Sequence, residues 1–250
     1  MSNDQSSMLP FLRTLEARSN LSDVERQEIL DLPFVPKQVK PNHDFVRQGD
    51  RISHSCFVLD GVVGSFKQDA EGNRQIVSIF INGDMVDLHS VVVPEAMSYL
   101  QALTATTILN VPHAALRELA RTYPNIAEAF WRHCVVDAGL LMEWVVNVGR
   151  RDARSRMAHF YCELGSRSAK GRPQDGMIIP YPITQFQLSD ILSLTAVHIN
   201  RTLQSLRQDG LLQRVERSIE RILDWNRLAD VGDFDADYLH LRGEPEPKAA

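Results

Sequence analysis

The stretch SDILSLTAVHINRTLQSLRQDGLL, residues 189–212, reads as two amphipathic helices joined by an abrupt turn. Thr184 is placed to cap the first, in which Leu188, Ile191 and Leu192 share one face. Ser193-Leu194-Thr195 is the turn, and Thr195 is a good N-cap for the second helix. In that helix Ala196, Ile199, Leu203 and Leu206 recur at spacings of three and four and make the apolar face, and Gly210 ends it. Val197, His198, Asn200, Arg201 and Gln204 are left on the other side. Two helices crossing at a tight turn, the second exposing small polar and basic side chains along its N-terminal half, are what a helix-turn-helix offers to a major groove. Arginine can donate two bonds to guanine, asparagine can bond adenine or phosphate, and valine can touch a thymine methyl. The plainer alternative is a solvated helix with no partner.

Charge distribution favours the nucleic-acid reading. The 250-residue chain carries a net charge of −5, but unevenly. Residues 1–149 hold 12 basic and 18 acidic side chains, residues 150–223 hold 12 and 7, and residues 224–250 hold 3 and 7. The helix pair therefore lies in a block of net +5 inside an acidic chain, and local sign matters more for phosphate than the total does. The chain is 44% hydrophobic and 24% charged, which fits a globular protein with a sizeable core. No apolar run is long enough to predict a membrane span, and the N-terminus MSNDQSSMLPFLRTLEARS has no secretory pattern, so a cytoplasmic protein is expected. The three cysteines, Cys56, Cys134 and Cys162, are widely spaced and form no CxxC pair, which suits reduced thiols and gives no cysteine-ligated metal site.

Outward from the helix pair, the texture divides the chain. Residues 1–8 look disordered, and 9–32 look helical, with Ser22 a cap before DVERQEIL. From about 34 to 112, short β-rich runs alternate with turn residues such as Asp60-Gly61 and Glu71-Gly72-Asn73, the pattern of a sandwich or small barrel. HAALRELARTY is a helix ending near Pro124, and a long helix follows over about 125–148. Its residues Phe130, Cys134, Leu141, Trp144 and Val148 fall mostly at coiled-coil spacings and are the expected dimer seam. Val135, Val136, Leu140 and Val146 lie off that seam, so the helix is expected to be covered on two sides, by a second copy and by the β region; burial within one subunit is the alternative. Gly149 is a natural break before another helix from about 151, and Gly165–Gly176 reads as a loop.

The segment PITQFQLSDILSLTAVHINRTLQSLRQDGLL resembles the helix-turn-helix of the Crp/Fnr family of bacterial transcription regulators, and the order of the remaining elements agrees. The resemblance implies an α+β chain. Residues 9–124 would be a cyclic-nucleotide-binding-like β-roll, 125–149 the dimerisation helix, 150–223 a winged helix-turn-helix and 224–250 a C-terminal extension. It implies a non-enzymatic homodimer on pseudo-palindromic double-stranded DNA, with RNA polymerase as a further partner. Arg201 is the leading base reader beside Val197, His198, Asn200 and Gln204, with Thr184 and Thr195 on phosphate. Arg214 and Arg217 sit in the wing segment QRVERSIERIL, which departs from the family in having no glycine at its turn.

The effector side of the resemblance is mostly subtraction. In cyclic-AMP-binding relatives a Glu holds the ribose and an Arg-Ser or Arg-Ala pair holds the cyclic phosphate. Aligning Gly83-Asp84 and QALTATT with their counterparts puts Leu88 at the Glu and Ala96-Met97 at the pair, and no arginine lies between Arg74 and Arg117. Cyclic AMP is therefore not expected as effector. The N-terminal cysteine cluster of oxygen-sensing relatives is missing, since Cys56 is the first cysteine. GDMVDLHS has a looser likeness to haem-binding carbon-monoxide sensors, in which His89 would match the haem ligand while Asp87 replaces a cysteine. A lone histidine is more often structural, and no cofactor or metal is expected. Two rivals remain open: a haem- or other small-effector-dependent regulator on the same fold, and a cupin-like metalloenzyme, for which His43, His54 and His89 lack the spacing.

Overall fold

The computed structural model describes residues 5–169 and 172–239. The N-terminus departs from expectation at once: residues 5–8 form a 3-10 turn that buries Met8 completely, because its side chain joins the core made by the next two helices. Residues 1–4 lie outside the described set. Helix α1 (Leu9–Glu16) buries Phe11, Leu12 and Leu15, and α2 (Asp23–Leu30) buries Ile29. Ser22 caps α2 reciprocally, its Oγ accepting from the Glu25 N–H while a Glu25 oxygen accepts from the Ser22 N–H at 2.8 Å.

Seven strands follow: β1 (Val35–Val39), β2 (His43–Val46), β3 (His54–Asp60), β4 (Val63–Gln68), β5 (Arg74–Phe80), β6 (Tyr99–Ala102) and β7 (Thr106–Pro112). They form two antiparallel-type sheets with orders β1-β7-β3 and β2-β6-β4-β5. The register Cys56↔Asn110, Phe57↔Leu109 and Val58↔Ile108 sends alternate side chains to two cores. Phe57 and Leu109 join Phe11, Met85 and Phe130, whereas Cys56, Val58 and Ile108 join Val39, Val86, Ala96 and Leu100 inside the roll.

Helix α3 (His113–Thr122) leads into α4 (Pro124–Arg150), which runs without interruption through Gly149. The expected break falls instead at Asp152, whose carboxylate caps α5 (Ala153–Ser168) by accepting from the Arg154 and Ser155 N–H groups. Helix α5 also runs through Gly165, where a loop was expected. A Cβ at that position would meet the Trp225 ring at 2.8 Å, so the glycine admits the aromatic rather than ending the helix. Beyond it lie β8 (Ile178–Ile179), α6 (Gln185–Leu192), α7 (Ala196–Gln208), β9 (Leu212–Glu216), β10 (Ile219–Ile222) and α8 (Trp225–Gly232), with a final 3-10 turn at Ala236–Leu239. The last sheet has the order β8-β10-β9.

Two compact units result. Of the described residues, one comprises 5–63, 80–140 and 237–239, and the other 64–79 and 141–236. Chain order alone assigns the β4–β5 hairpin to the β region, whereas its contacts place it with the helices of the second unit.

The dimer seam expected on α4 is only partly available. Phe130 is buried, stacked 6.2 Å from Phe11, and Trp144 is buried, donating its indole N–H to Glu163 at 2.8 Å. Cys134 and Val148 are half-buried, and Cys134 packs on the first unit's core. Of the five only Leu141 is exposed. The open face is turned by about one residue and consists of Trp131, Val135, Ala138, Met142 and Val145, flanked by Leu141 and Val146. Val136 and Leu140 face inward. The reason is that α4 is apolar around most of its girth, and its own chain takes the face that includes Phe130 and Trp144.

Candidate nucleic-acid interface

Helix α6 begins with a complete capping box. The Thr184 N–H donates to Gln187 Oε1 at 2.8 Å, and the Gln187 N–H donates to Thr184 Oγ1 at 3.2 Å. Leu188, Ile191 and Leu192 are buried as the periodicity requires. The chain then reverses through Ser193 in the left-handed region (φ 53°), the bend that lets two helices meet so abruptly. Thr195 caps α7 by accepting from the His198 N–H at 3.3 Å.

Helix α7 divides cleanly into faces. Ile199, Leu203 and Leu206 are buried, while Val197, His198, Asn200, Arg201 and Gln204 are all exposed, Val197 at 67%. Arg154 of α5 fixes the helix from behind, donating to Ser205 Oγ at 2.6 Å and pairing with Asp209 at 2.6 Å. Arg156 donates to the carbonyls of Leu192 (2.6 Å) and Val148 (2.8 Å), joining the ends of α6 and α4. Gly210 follows at φ 71°, the left-handed position expected after the C-cap.

A second support was not visible in the sequence. Arg74 of β5 pairs with Asp190 of α6, its Nε at 2.8 Å, and its guanidinium lies 5.1 Å from the Phe66 ring and 5.9 Å from the Phe186 ring. Gln75 donates to the Ile191 carbonyl at 3.0 Å and accepts from the Ser193 hydroxyl. The hairpin thus holds the very turn of the helix pair. Periodicity could not announce contacts made across 116 residues.

The wing forms despite lacking a glycine. Ser218 takes the left-handed conformation (φ 63°) between β9 and β10, and a bulge at Ile219/Glu220 absorbs the register shift. Arg214 and Arg217 are exposed along this hairpin. Arg207 of α7 pairs with the buried Glu220 of β10, joining the wing to the reading helix. Thr184, Arg214 and Arg217, placed separately by the sequence reading, line one cavity.

His89 belongs to the first unit. It is half-buried in a 3-10 turn (Leu88–Val91), and burial holds its imidazole below the usual histidine range. Its neighbour Asp87 is buried and accepts the Cys56 N–H at 2.7 Å, and its other oxygen has no hydrogen-bond partner among the described residues. Among the described residues no group of three His, Cys, Asp or Glu side chains is disposed to hold a metal ion. Ala96 is buried inside the roll and Met97 is exposed.

Residues 155–231 match the Crp-like helix-turn-helix domain, and residues 36–123 match the cyclic nucleotide-binding domain. Among curated proteins, the chain is 24% identical to the transcriptional activator protein FnrL of Cereibacter sphaeroides, covering 76% of this chain and 77% of that one. It is 22% identical to the fumarate and nitrate reduction regulatory protein of Escherichia coli K12, covering 77% and 76%. Among solved structures, FixK2 from Bradyrhizobium japonicum has the same fold at a TM-score of 0.73 and 21% identity, over 82% of this chain and all of that one. A CooA mutant from Carboxydothermus hydrogenoformans aligns at 0.64 and 18% identity, over 89% and 95%.

Proposed function

Since the chain belongs to the Crp/Fnr family and is a DNA-binding transcription regulator, we propose that it works as a homodimer whose two α7 helices read the half-sites of a pseudo-palindrome. The observation that carries this reading is the division of α7: a buried apolar face held by Arg154, opposite an exposed row of Val197, His198, Asn200, Arg201 and Gln204. Arg201 and Asn200 supply the directional donors and acceptors for base edges, and Thr184, Thr195, Arg214 and Arg217 address phosphates on either side. The second copy joins through the open face of α4, where Trp131, Val135, Ala138, Met142 and Val145 recur at spacings of four, three, four and three. A face of this kind is self-complementary across a two-fold axis.

Cyclic AMP is not the effector in this reading. Support comes from Ala96 in the apolar roll interior, and calorimetric titration with cyclic AMP is expected to show no binding. The regulator acts in the bacterial cytoplasm, at promoters, where RNA polymerase is its further partner. The reading is tested by genome-wide footprinting of bound DNA. Protected sites are expected to contain two inverted half-sites centred ~34 Å apart, one helical turn; single half-sites or sequence-independent coverage would remove the dimeric reading.

A further inference from the structure

Two ends of the chain's architecture, the last turn of α4 and the turn of the helix pair, meet at one side chain. Arg156 sits in the first turn of α5, and its guanidinium takes three backbone carbonyls. Nη1 donates to Leu192, the last residue of α6, at 2.6 Å. Nη2 donates to Val148, in the last turn of α4, at 2.8 Å, and to Arg151 just past its end at 3.1 Å. Carbonyls at a helix end have no N–H of their own helix to take, and both ends carry partial negative charge, so one cation between them satisfies both. The main chain of Arg156 is tied in as well: its carbonyl accepts from the side chain of Asn147, a buried residue of α4, at 3.3 Å. All of these residues belong to the second unit.

The positions of the linked carbonyls matter. Val148 lies one turn past Val145, the last residue of the open row on α4, and Leu192 directly precedes the turn that leads into α7. Trp144 already ties α4 to α5 through Glu163, and Arg156 carries that tie onward to the turn before the reading helix. Its stiffness can be compared with what DNA demands. A spacing of ~34 Å for ten base pairs is ~3.4 Å per base pair, or ~1.7 Å for each of two symmetric reading helices. The bonds of 2.6 and 2.8 Å to Leu192 and Val148 are lost once stretched beyond about 3.5 Å, a travel of less than about 1 Å. The link is therefore stiff enough to separate one spacing from the next.

We propose that Arg156 is a positioning residue that fixes which half-site spacing the protein accepts, by holding the turn before α7 at a set distance from the end of the α4 seam. The inference rests on the dimeric reading. Arg156 selects by geometry alone: its guanidinium is spent on backbone carbonyls and reads no base.

The test is competition binding of the full-length protein to duplexes whose two half-sites, taken from a footprinted site, stand at the native spacing or one base pair closer or farther. The wild type is expected to prefer the native spacing by about tenfold, a middling value for coupling between two sites. Arg156→Gln removes the charged fork and should lose most of that preference by weakening binding at the native spacing, with affinity for random duplex unchanged. Arg156→Lys keeps a charge at the two helix ends but not the planar fork, so it should recover the melting temperature without recovering the preference. Gln75→Ala loosens the same turn from β5 rather than from α4, by removing the donor to the Ile191 carbonyl, and should keep the preference. A folded Arg156→Gln or Arg156→Lys protein with the full wild-type preference overturns the proposal. An equal loss in Gln75→Ala overturns it too, since the preference would then follow the rigidity of the turn and not its tie to α4. A wild type indifferent to spacing removes the dimeric reading and this inference with it.

Discussion

Arg201 is exposed on the open face of α7 about one and a half turns from the helix start, and nothing in its surroundings needs it for folding. Arg201→Ala is expected to leave the melting temperature unchanged and to cost roughly 1–3 kcal/mol of specific affinity, the usual worth of a bidentate base contact. Competition between a footprinted site and random duplex checks this, and an equal loss on both would reduce Arg201 to a phosphate contact. Asp87 gives the opposite kind of residue, buried in the first unit. Burial raises its carboxyl from 3.8 to about 7, against the pull of the Cys56 N–H bond, and its second oxygen has no partner among the described residues. The folded state therefore binds this proton more tightly than the unfolded chain does. The sign follows: Asp87 costs nothing below about pH 4, its cost grows as pH rises from about 4 to 7, and it is constant above that. Three units correspond to about 4 kcal/mol. Asp87→Asn keeps an acceptor for Cys56 and removes the charge. Urea unfolding should thus show the variant gaining on the wild type across that window and holding its lead at higher pH; a pH-independent difference would mean that Asp87 stays protonated or is solvated when it ionises.

At the scale of elements, α4 shows where periodicity succeeds and where it stops. Its length and its helicity were legible, but of the expected seam through Phe130, Cys134, Leu141, Trp144 and Val148 only Leu141 is exposed. Neighbouring helix positions differ by about 100°, and on a helix with apolar residues all round, spacing alone does not say which stripe the chain itself covers. The answer lay in Phe11 of α1 and Glu163 of α5, which claim Phe130 and Trp144. The open face gives a sharp test. Met142→Glu would set two like charges against each other across the two-fold axis in an apolar seam, at a cost of several kcal/mol. Ultracentrifugation is expected to show a folded monomer that no longer holds a two-half-site duplex, while Trp144→Glu should disturb folding instead. A Met142→Glu protein that remains dimeric would move the axis off this face. The helix-turn-helix was legible almost residue by residue, because both helices are one-sided and both caps are threonines. The cavity beside it was not, since Tyr161, Thr184, Arg207 and Arg214 come from four elements whose meeting no local pattern encodes.

For the whole molecule the question is how an acidic protein holds an acidic polymer. The surplus of basic residues is confined to 150–223, which carries 12 against 7, while the other segments are acidic. Phosphate binding then depends on a few side chains, each appearing twice if the protein docks as a dimer. Each phosphate neutralised by a cation releases counterions and contributes about −0.9 to the slope of log affinity against log salt. Arg217 sits exposed on the wing turn, makes no ion pair among the described residues, and is proposed to meet the backbone rather than a base. Arg217→Gln should therefore flatten the slope by ~1.8 if both protomers engage and by ~0.9 if only one does. The flattening should be the same on specific and random duplexes, because phosphates carry no sequence information. Arg201→Ala is the internal comparison: its loss falls on the specific site and should leave the salt slope nearly intact. A flattening of ~1.8 with Arg217→Gln would tie wing and reading helix into one symmetric complex. An unchanged slope would detach the wing from the DNA.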